Sequence, residues 1–252
     1  GALHEGHIRL VRQSVAENNT TVCSIFVNPT QFNDPKDFEK YPVTLDRDIR
    51  LLVEAGCQVL FLPGVSEIYP AGMQGLPAYD LGYLEQILEG HYRPGHFQGV
   101  CQVVDRLLHI VRPGNLYMGR KDYQQCMVIK KLLQINGLPV RLIPCETVRE
   151  QDGLAMSSRN MRLDPEQRQR AIAIYRVLDR IRQDIRPGSL ASLKRDGLET
   201  LSREGFRVDY VEICRAEDLL PVDTWDGSSP LVALVAAYLG QVRLIDNMQV
   251  SF

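Results

Sequence analysis

The chain has 252 residues, enough to bury a sizeable core in one large domain or two smaller ones, and its 44% hydrophobic and 24% charged residues are ordinary for a globular protein. A net charge of −2 excludes a general attraction to nucleic acid or to anionic membranes, so an anionic ligand has to be held by a local basic cluster. No apolar run approaches the ~18 residues of a membrane span, no secretory signal is read, and six scattered cysteines without C-x-x-C spacing read as reduced thiols of a cytoplasmic protein.

Residues 8–17 place Ile8, Val11 and Val15 on one helical face. TTVCSIFV (20–27) is a β-branched, largely apolar run stopped at Asn28-Pro29, the pattern of a buried strand. Leu45, Ile49, Leu52 and Val53 mark a second helix that stops at Gly56, and CQVLFLP (57–63) is a second buried strand. The clearest helix covers 99–112, with Val100, Val103, Val104, Leu107, Leu108 and Val111 on one face. A strand at 115–119, a helix at 122–136 and a strand at 140–145 follow. Strands alternating with helices of this length predict an α/β fold, a Rossmann-like doubly wound parallel sheet with helices on both faces.

The pattern changes near residue 150. Asp164-Pro165 with Gln167 offers a cap, a proline at the first helical position and a capping-box partner, so a helix is expected from there to about Ile185. A weaker helix at 190–204 is interrupted by Gly197, and 208–214, 231–239 and 242–246 are rich in strand formers. The expectation is a second, smaller α+β C-terminal domain, with the boundary at 147/148.

The chemistry starts at Gly-Ala-Leu-His-Glu-Gly-His (1–7), at the mouth of the first helix. Backbone N–H groups and the positive end of the helix dipole favour anions there, glycines allow close approach, and two imidazoles add donors. The segment is neither a P-loop nor G-x-G-x-x-G, and H-E-G-H has the wrong spacing for a zinc-protease helix. One histidine alone would more simply cap the helix or pack on its first turn. Two histidines with two glycines favour a polyphosphate site. Three further loops share this character: 24–32 presents Asn28 and Gln31, 119–125 presents Lys121, Asp122 and Gln125, and 156–160 supplies Ser157, Ser158 and Arg159. Each could equally be a turn cap, a solvated charge run or a surface loop.

HEGH (4–7) after a glycine, SIFVNPTQF (24–32), YPVTLDRDI (41–49), RPGHFQGV (93–100), GRKDYQQ (119–125) and GLAMSSRN (153–160) resemble, in order and spacing, the motifs of the pantothenate synthetase (pantoate–β-alanine ligase) family. That family is part of the H-x-G-H nucleotidyltransferase superfamily. The resemblance runs from Gly1 to about Asn160 and continues more weakly to LIDN (244–247).

It implies an Mg²⁺-dependent enzyme that condenses pantoate with β-alanine through a pantoyl adenylate, acting as a cytoplasmic homodimer. By motif, Gly1, Ala2, Leu3, His4, Glu5, Gly6 and His7 would line the ATP phosphates, with His7 as proton donor. Gly119, Arg120, Lys121 and Asp122 would contact ATP, Val148 the adenine, and Met156, Ser157, Ser158 and Arg159 the phosphates from a second, lid-like domain. Gln31 and Gln125 would hold pantoate between them, with Gln31 also near β-alanine, and Asn28, Tyr41 and Arg93 would join them in binding substrate. Tyr41, Asp48, Arg93 and His96 are weaker matches; for Tyr41 and His96 simple packing, and for Arg93 a solvated loop charge, is an equal reading. Asp48 would be a carboxylate near Mg²⁺. Two departures stand out: Arg120 replaces the family's usual Glu, and the resemblance places a further strand ahead of Gly1. A nucleotidyltransferase acting on a phosphate ester and a non-catalytic nucleotide binder remain the competing readings.

Overall fold

A computed structural model describes residues 1–32 and 38–251. The chain divides into two compact units, Gly1–Glu146 and Thr147–Phe252.

In the first unit the order is α1 (Glu5–Glu17), β1 (Val22–Ser24), α2 (Leu45–Glu54), β2 (Val59–Phe61), α3 (Val65–Ile68), α4 (Leu88–Tyr92), α5 (His96–Val111), β3 (Asn115–Gly119), α6 (Tyr123–Ile135) and β4 (Arg141–Cys145). The ladders are parallel, as helical crossovers require. β1 pairs with β2 (Cys23 opposite Leu60), and β3 pairs with β4 (Tyr117 opposite Ile143). Among the described residues no ladder joins the two pairs.

The strand predicted over 20–27 is ladder-bonded only at Val22–Ser24, and that over 57–63 only at Val59–Phe61. Just beyond the ladder the Ile25 amide still donates to the Phe61 carbonyl (3.0 Å) and the Thr21 carbonyl accepts from the Val59 amide (3.1 Å). Ile8, Val11, Leu52 and Ala55 from α1 and α2 close against Cys23, Ile25 and Leu60. This is the predicted α1 face meeting the predicted α2 face over the strands.

α5 starts three residues before the predicted position because Gly95, in the left-handed region at φ 78, serves as its N-cap. α4 was not legible: Leu88-Glu-Gly-His-Tyr has no apolar period.

The second unit holds α7 (Pro165–Arg170), α8 (Ala173–Asp184), β5 (Gly188–Ser189), α9 (Ala191–Arg203), β6 (Arg207–Arg215), β7 (Thr224–Trp225), β8 (Leu231–Leu239) and β9 (Val242–Gln249). Asp164 caps α7 as its sequence predicts, accepting from the Gln167 amide at 2.8 Å. The single helix expected to Ile185 is two. Ala171 and Ile172 keep right-handed helical dihedrals, and the break is a tightened bond from the Ile174 amide to the Ala171 carbonyl.

Gly197 does not interrupt α9. A Cβ there would meet Val177 and Val211 at 3.0 Å, so the glycine lets the helix lie close to α8 and β6. The antiparallel sheet runs β6-β8-β9. β8 is its central strand and is buried along almost its whole length, which explains its near-continuous apolar sequence. Ile174, Val177, Leu178 and Ile181 of α8 cover one sheet face through Val211, Ile213, Ala233 and Val235.

Candidate active site

His4 is the N-cap of α1, in extended conformation, and its carbonyl accepts from the amides of His7 (2.8 Å) and Ile8 (3.1 Å). The His7 ring turns back on this start, its Nδ1 accepting from the His4 amide at 3.3 Å. The two imidazoles lie against each other with centroids 3.9 Å apart and ring planes tilted by 37°. Because Nδ1 of His7 is an acceptor here, its proton sits on Nε2, leaving that N–H to meet a ligand.

The other residues of the motif divide by what their side chains face. Ala2 and Leu3 are buried, and Glu5 points outward to Arg12. For these residues only the backbone is available to an anion, and the first-turn amides of Glu5 and Gly6 have no intrahelical acceptor. Ala2 holds φ 53, unfavourable for a residue with a Cβ, at the position where the backbone turns into the helix mouth.

Both imidazoles are held neutral. Burial lowers His4 to about 3, helped by His7 and Lys121 and opposed by Asp122. Burial likewise lowers His7 to about 4, with Lys121 lowering it further and Asp122 and Asp48 opposing. Lys121 and Asp122, from the turn between β3 and α6, therefore belong to the same electrostatic neighbourhood as the histidine pair. Lys121 Nζ lies 3.8 Å from Asp122 Oδ1. Gly119 ends β3, and Arg120 lies on the same turn, its charge acting on Tyr123 and Cys126.

Asn28 is buried and central to its turn. Its Oδ1 accepts from Tyr69 Oη (2.8 Å) and from Thr30 Oγ1 (3.1 Å), while its Nδ2 donates to the Gly99 carbonyl (3.0 Å) and to Gln31 Oε1 (3.3 Å). Asn28 is thus a structural organiser that aligns Gln31. Gln125 is half-buried on the first turn of α6. Its neighbour Gln124 is fully engaged, accepting from the Glu89 amide and donating to the Leu84 and Ile87 carbonyls. Tyr41 packs edge-on to Phe32, with centroids 5.8 Å apart. Arg93, expected to meet substrate, reaches Glu89 (3.6 Å) and His96 (3.1 Å).

Asp48, expected beside Mg²⁺, is fully buried; its Oδ1 accepts from the Leu3 amide (2.8 Å) and the Thr44 hydroxyl (2.9 Å), and its buried Oδ2 has no partner. Mg²⁺ demands octahedral oxygen ligation and keeps several waters, which a wholly enclosed carboxylate cannot accommodate. No group of three or more His, Cys, Asp or Glu gathers for a metal among the described residues. Asp48 does not fit that ion; it fits a brace for the loop.

In the second unit the Met156 amide donates to the Val148 carbonyl at 3.0 Å, and Ser157 Oγ accepts from the Arg159 amide at 3.2 Å. Ser158 is buried. Arg149, which the sequence did not single out, underlies this loop. It forms a bidentate pair with buried Asp246 (2.6 and 3.1 Å) and donates to the Gly153 carbonyl. Sequence reasoning missed Tyr69, Gly99 and Gln124 in the first unit and Arg149 in the second; each braces a neighbouring loop of its own unit, and nothing local in their sequence marks them.

A parallel α/β unit whose first helix opens on a glycine-flanked, neutral histidine pair with a lysine in the same field belongs to the class of α/β proteins built to take an anion at a helix N-terminus. The family model described as pantoate-beta-alanine ligase matches residues 1–249. Pantothenate synthetase of Cytophaga hutchinsonii is 44% identical over 98% of this chain and 88% of its own length. That of Azotobacter vinelandii is 46% identical over 100% and 89%. The crystal structure of pantothenate synthetase from Thermus thermophilus superposes with a TM-score of 0.92 at 44% identity, covering 100% of this chain and 91% of that one. The Francisella tularensis ligase, complexed with beta-gamma ATP and beta-alanine, gives 0.82 at 38% identity, covering 99% and 86%. The chain belongs to the pantoate–β-alanine ligase family.

Proposed function

We infer that this chain is a pantoate–β-alanine ligase that uses ATP. Pantoate's carboxylate attacks the α-phosphorus, the bond to the bridging oxygen breaks, and pyrophosphate leaves. The amine of β-alanine then attacks the acyl carbon of the pantoyl adenylate, loses a proton, and expels AMP to give pantothenate. Adenylation is needed because a carboxylate is a poor acyl donor. The protein's task is alignment and neutralisation of phosphate charge rather than covalent chemistry.

The observation that carries this reading is the neutral His4–His7 pair on the amide-rich start of α1, with Lys121 close enough to help hold it neutral. A neutral imidazole offers an N–H to a phosphate oxygen, and the charge of bound triphosphate raises its proton affinity. His7 then strengthens its hold as charge builds on the leaving pyrophosphate. In the same reading Lys121 binds phosphate, Asp122 the ribose, and the Val148 backbone the adenine. Ser157, Ser158 and Arg159 of the second unit meet the phosphates, and Gln31 and Gln125 hold pantoate. Mg²⁺ would supply further charge neutralisation when bound with ATP. Homodimer assembly and a cytoplasmic location belong to this reading through the family resemblance.

The test is His7→Ala. Losing one donor to the transition state costs roughly 10²–10³ in kcat. A variant within twofold of wild type removes His7 from the mechanism.

A further inference from the structure

Gln31 is held from behind by a chain of side chains that none of the reaction steps uses. His96 Nδ1 lies 2.8 Å from the Gln31 carbonyl oxygen, and His96 Nε2 lies 3.1 Å from Arg93 Nη1. A guanidinium only donates, so Nε2 has to accept. The ring proton is therefore on Nδ1 and is donated to the Gln31 carbonyl. Arg93 is fixed in turn by nearly buried Glu89 at 3.6 Å, and its Nη2 reaches the same carbonyl at 3.5 Å.

The α5 backbone completes the clamp. A Cβ on Gly99 would stand 2.6 Å from the Thr30 carbonyl carbon and 2.8 Å from the Gln31 nitrogen, while the Gly99 carbonyl accepts from Asn28. The 29–31 turn is thus pressed onto α5 at one end and tied to it by His96 at the other.

We propose that His96 is a positioning residue for substrate selection: oriented by Glu89 and Arg93, it fixes the Gln31 carbonyl and so aims the Gln31 amide at the hydroxy acid. The proposal rests on the reading of Gln31 as a pantoate ligand. Recognition of a small polar acid requires its amide partner to be held to within about 0.5 Å; the 3.3 Å contact from Asn28 Nδ2 holds the Gln31 side chain, and the backbone that carries it has to be fixed from behind. Burial and the neighbouring Arg93 keep His96 neutral, its proton affinity lowered to about 4, in accord with a ring that must accept from a cation.

The chain of contacts makes opposite forecasts for two similar substitutions. An asparagine amide nitrogen occupies the place of Nδ1 and a glutamine amide nitrogen that of Nε2. His96→Ala and His96→Gln should each raise the KM for pantoate about tenfold, with kcat and the KM for ATP within about twofold, whereas His96→Asn should stay within about threefold of wild type. Thermal midpoints check that all three fold. A purely structural histidine would give Asn and Gln variants of equal activity, or would move kcat and both KM values together, and either result overturns the proposal.

Gln31→Ala is the control for the underlying reading. If it leaves the KM for pantoate unchanged, Gln31 is not the ligand. The positioning contact is then judged alone by 15N NMR of the imidazole, which must show Nδ1–H at His96 in the native chain and a mixture of tautomers in Arg93→Ala. An Nε2–H native ring refutes it.

Discussion

The Leu3 amide donates to Oδ1 of Asp48 at 2.8 Å across forty-five residues of sequence, so the histidine-bearing mouth of α1 is tied to the first turn of α2. The same oxygen accepts from Thr44, and the carboxylate is fully enclosed. Asp48→Ala leaves a buried N–H unpaired and should cost about 1–3 kcal/mol in urea unfolding. Asp48→Asn keeps an acceptor in place and should cost less than about 1 kcal/mol. It should also leave the Mg²⁺ dependence of activity unchanged; a severalfold rise in the Mg²⁺ requirement would restore Asp48 as a ligand.

Three histidines of the first unit make its stability depend on pH. The unfolded chain takes up protons on His4, His7 and His96 below about 6.5, while the folded chain takes them up only near 3, 4 and 4 respectively. Protons bound preferentially by the unfolded state lower stability, so the loss should develop as pH falls from about 6.5 to about 4. Circular dichroism follows both units, whereas the single tryptophan, Trp225, reports only the second. The urea midpoint seen by dichroism should drop between pH 7 and pH 4.5, and His96→Asn should flatten the dependence. A midpoint constant over that range contradicts the burial of neutral imidazoles.

In the second unit the Arg149–Asp246 pair is enclosed on the Asp246 side, and the Arg149 guanidinium lies 5.1 Å from the centre of the Tyr175 ring. Arg149→Ala strands a buried carboxylate and should cost about 3–5 kcal/mol, read from Trp225 fluorescence in urea. The paired replacement Arg149→Met with Asp246→Leu removes both charges and should recover most of it. If the double variant is as unstable as the single one, the cost lies in lost packing on Tyr175 instead.

Much of this arrangement was legible in the sequence because it is local. Period-3.6 apolar residues located α1, α2 and α5, and the Asp164-Pro165-Gln167 cap located the start of α7. The family motifs pointed to His4, His7 and Lys121, which share one electrostatic neighbourhood. What stayed hidden is set by distance. The Asp48 brace, the His96–Gln31 contact and the Arg149–Asp246 pair join residues 45, 65 and 97 positions apart, and no periodicity encodes which polar group meets which. Gly197 misled for a related reason: its lack of a Cβ is used against Val177 and Val211, not to break α9.

The most direct test of the account mixes the protein with ATP, Mg²⁺ and pantoate and follows AMP release with and without β-alanine. The account predicts AMP release that depends on the amine and yields pantothenate in equal amount. Pyrophosphate released catalytically with no need for any amine, and no pantothenate formed, would contradict it.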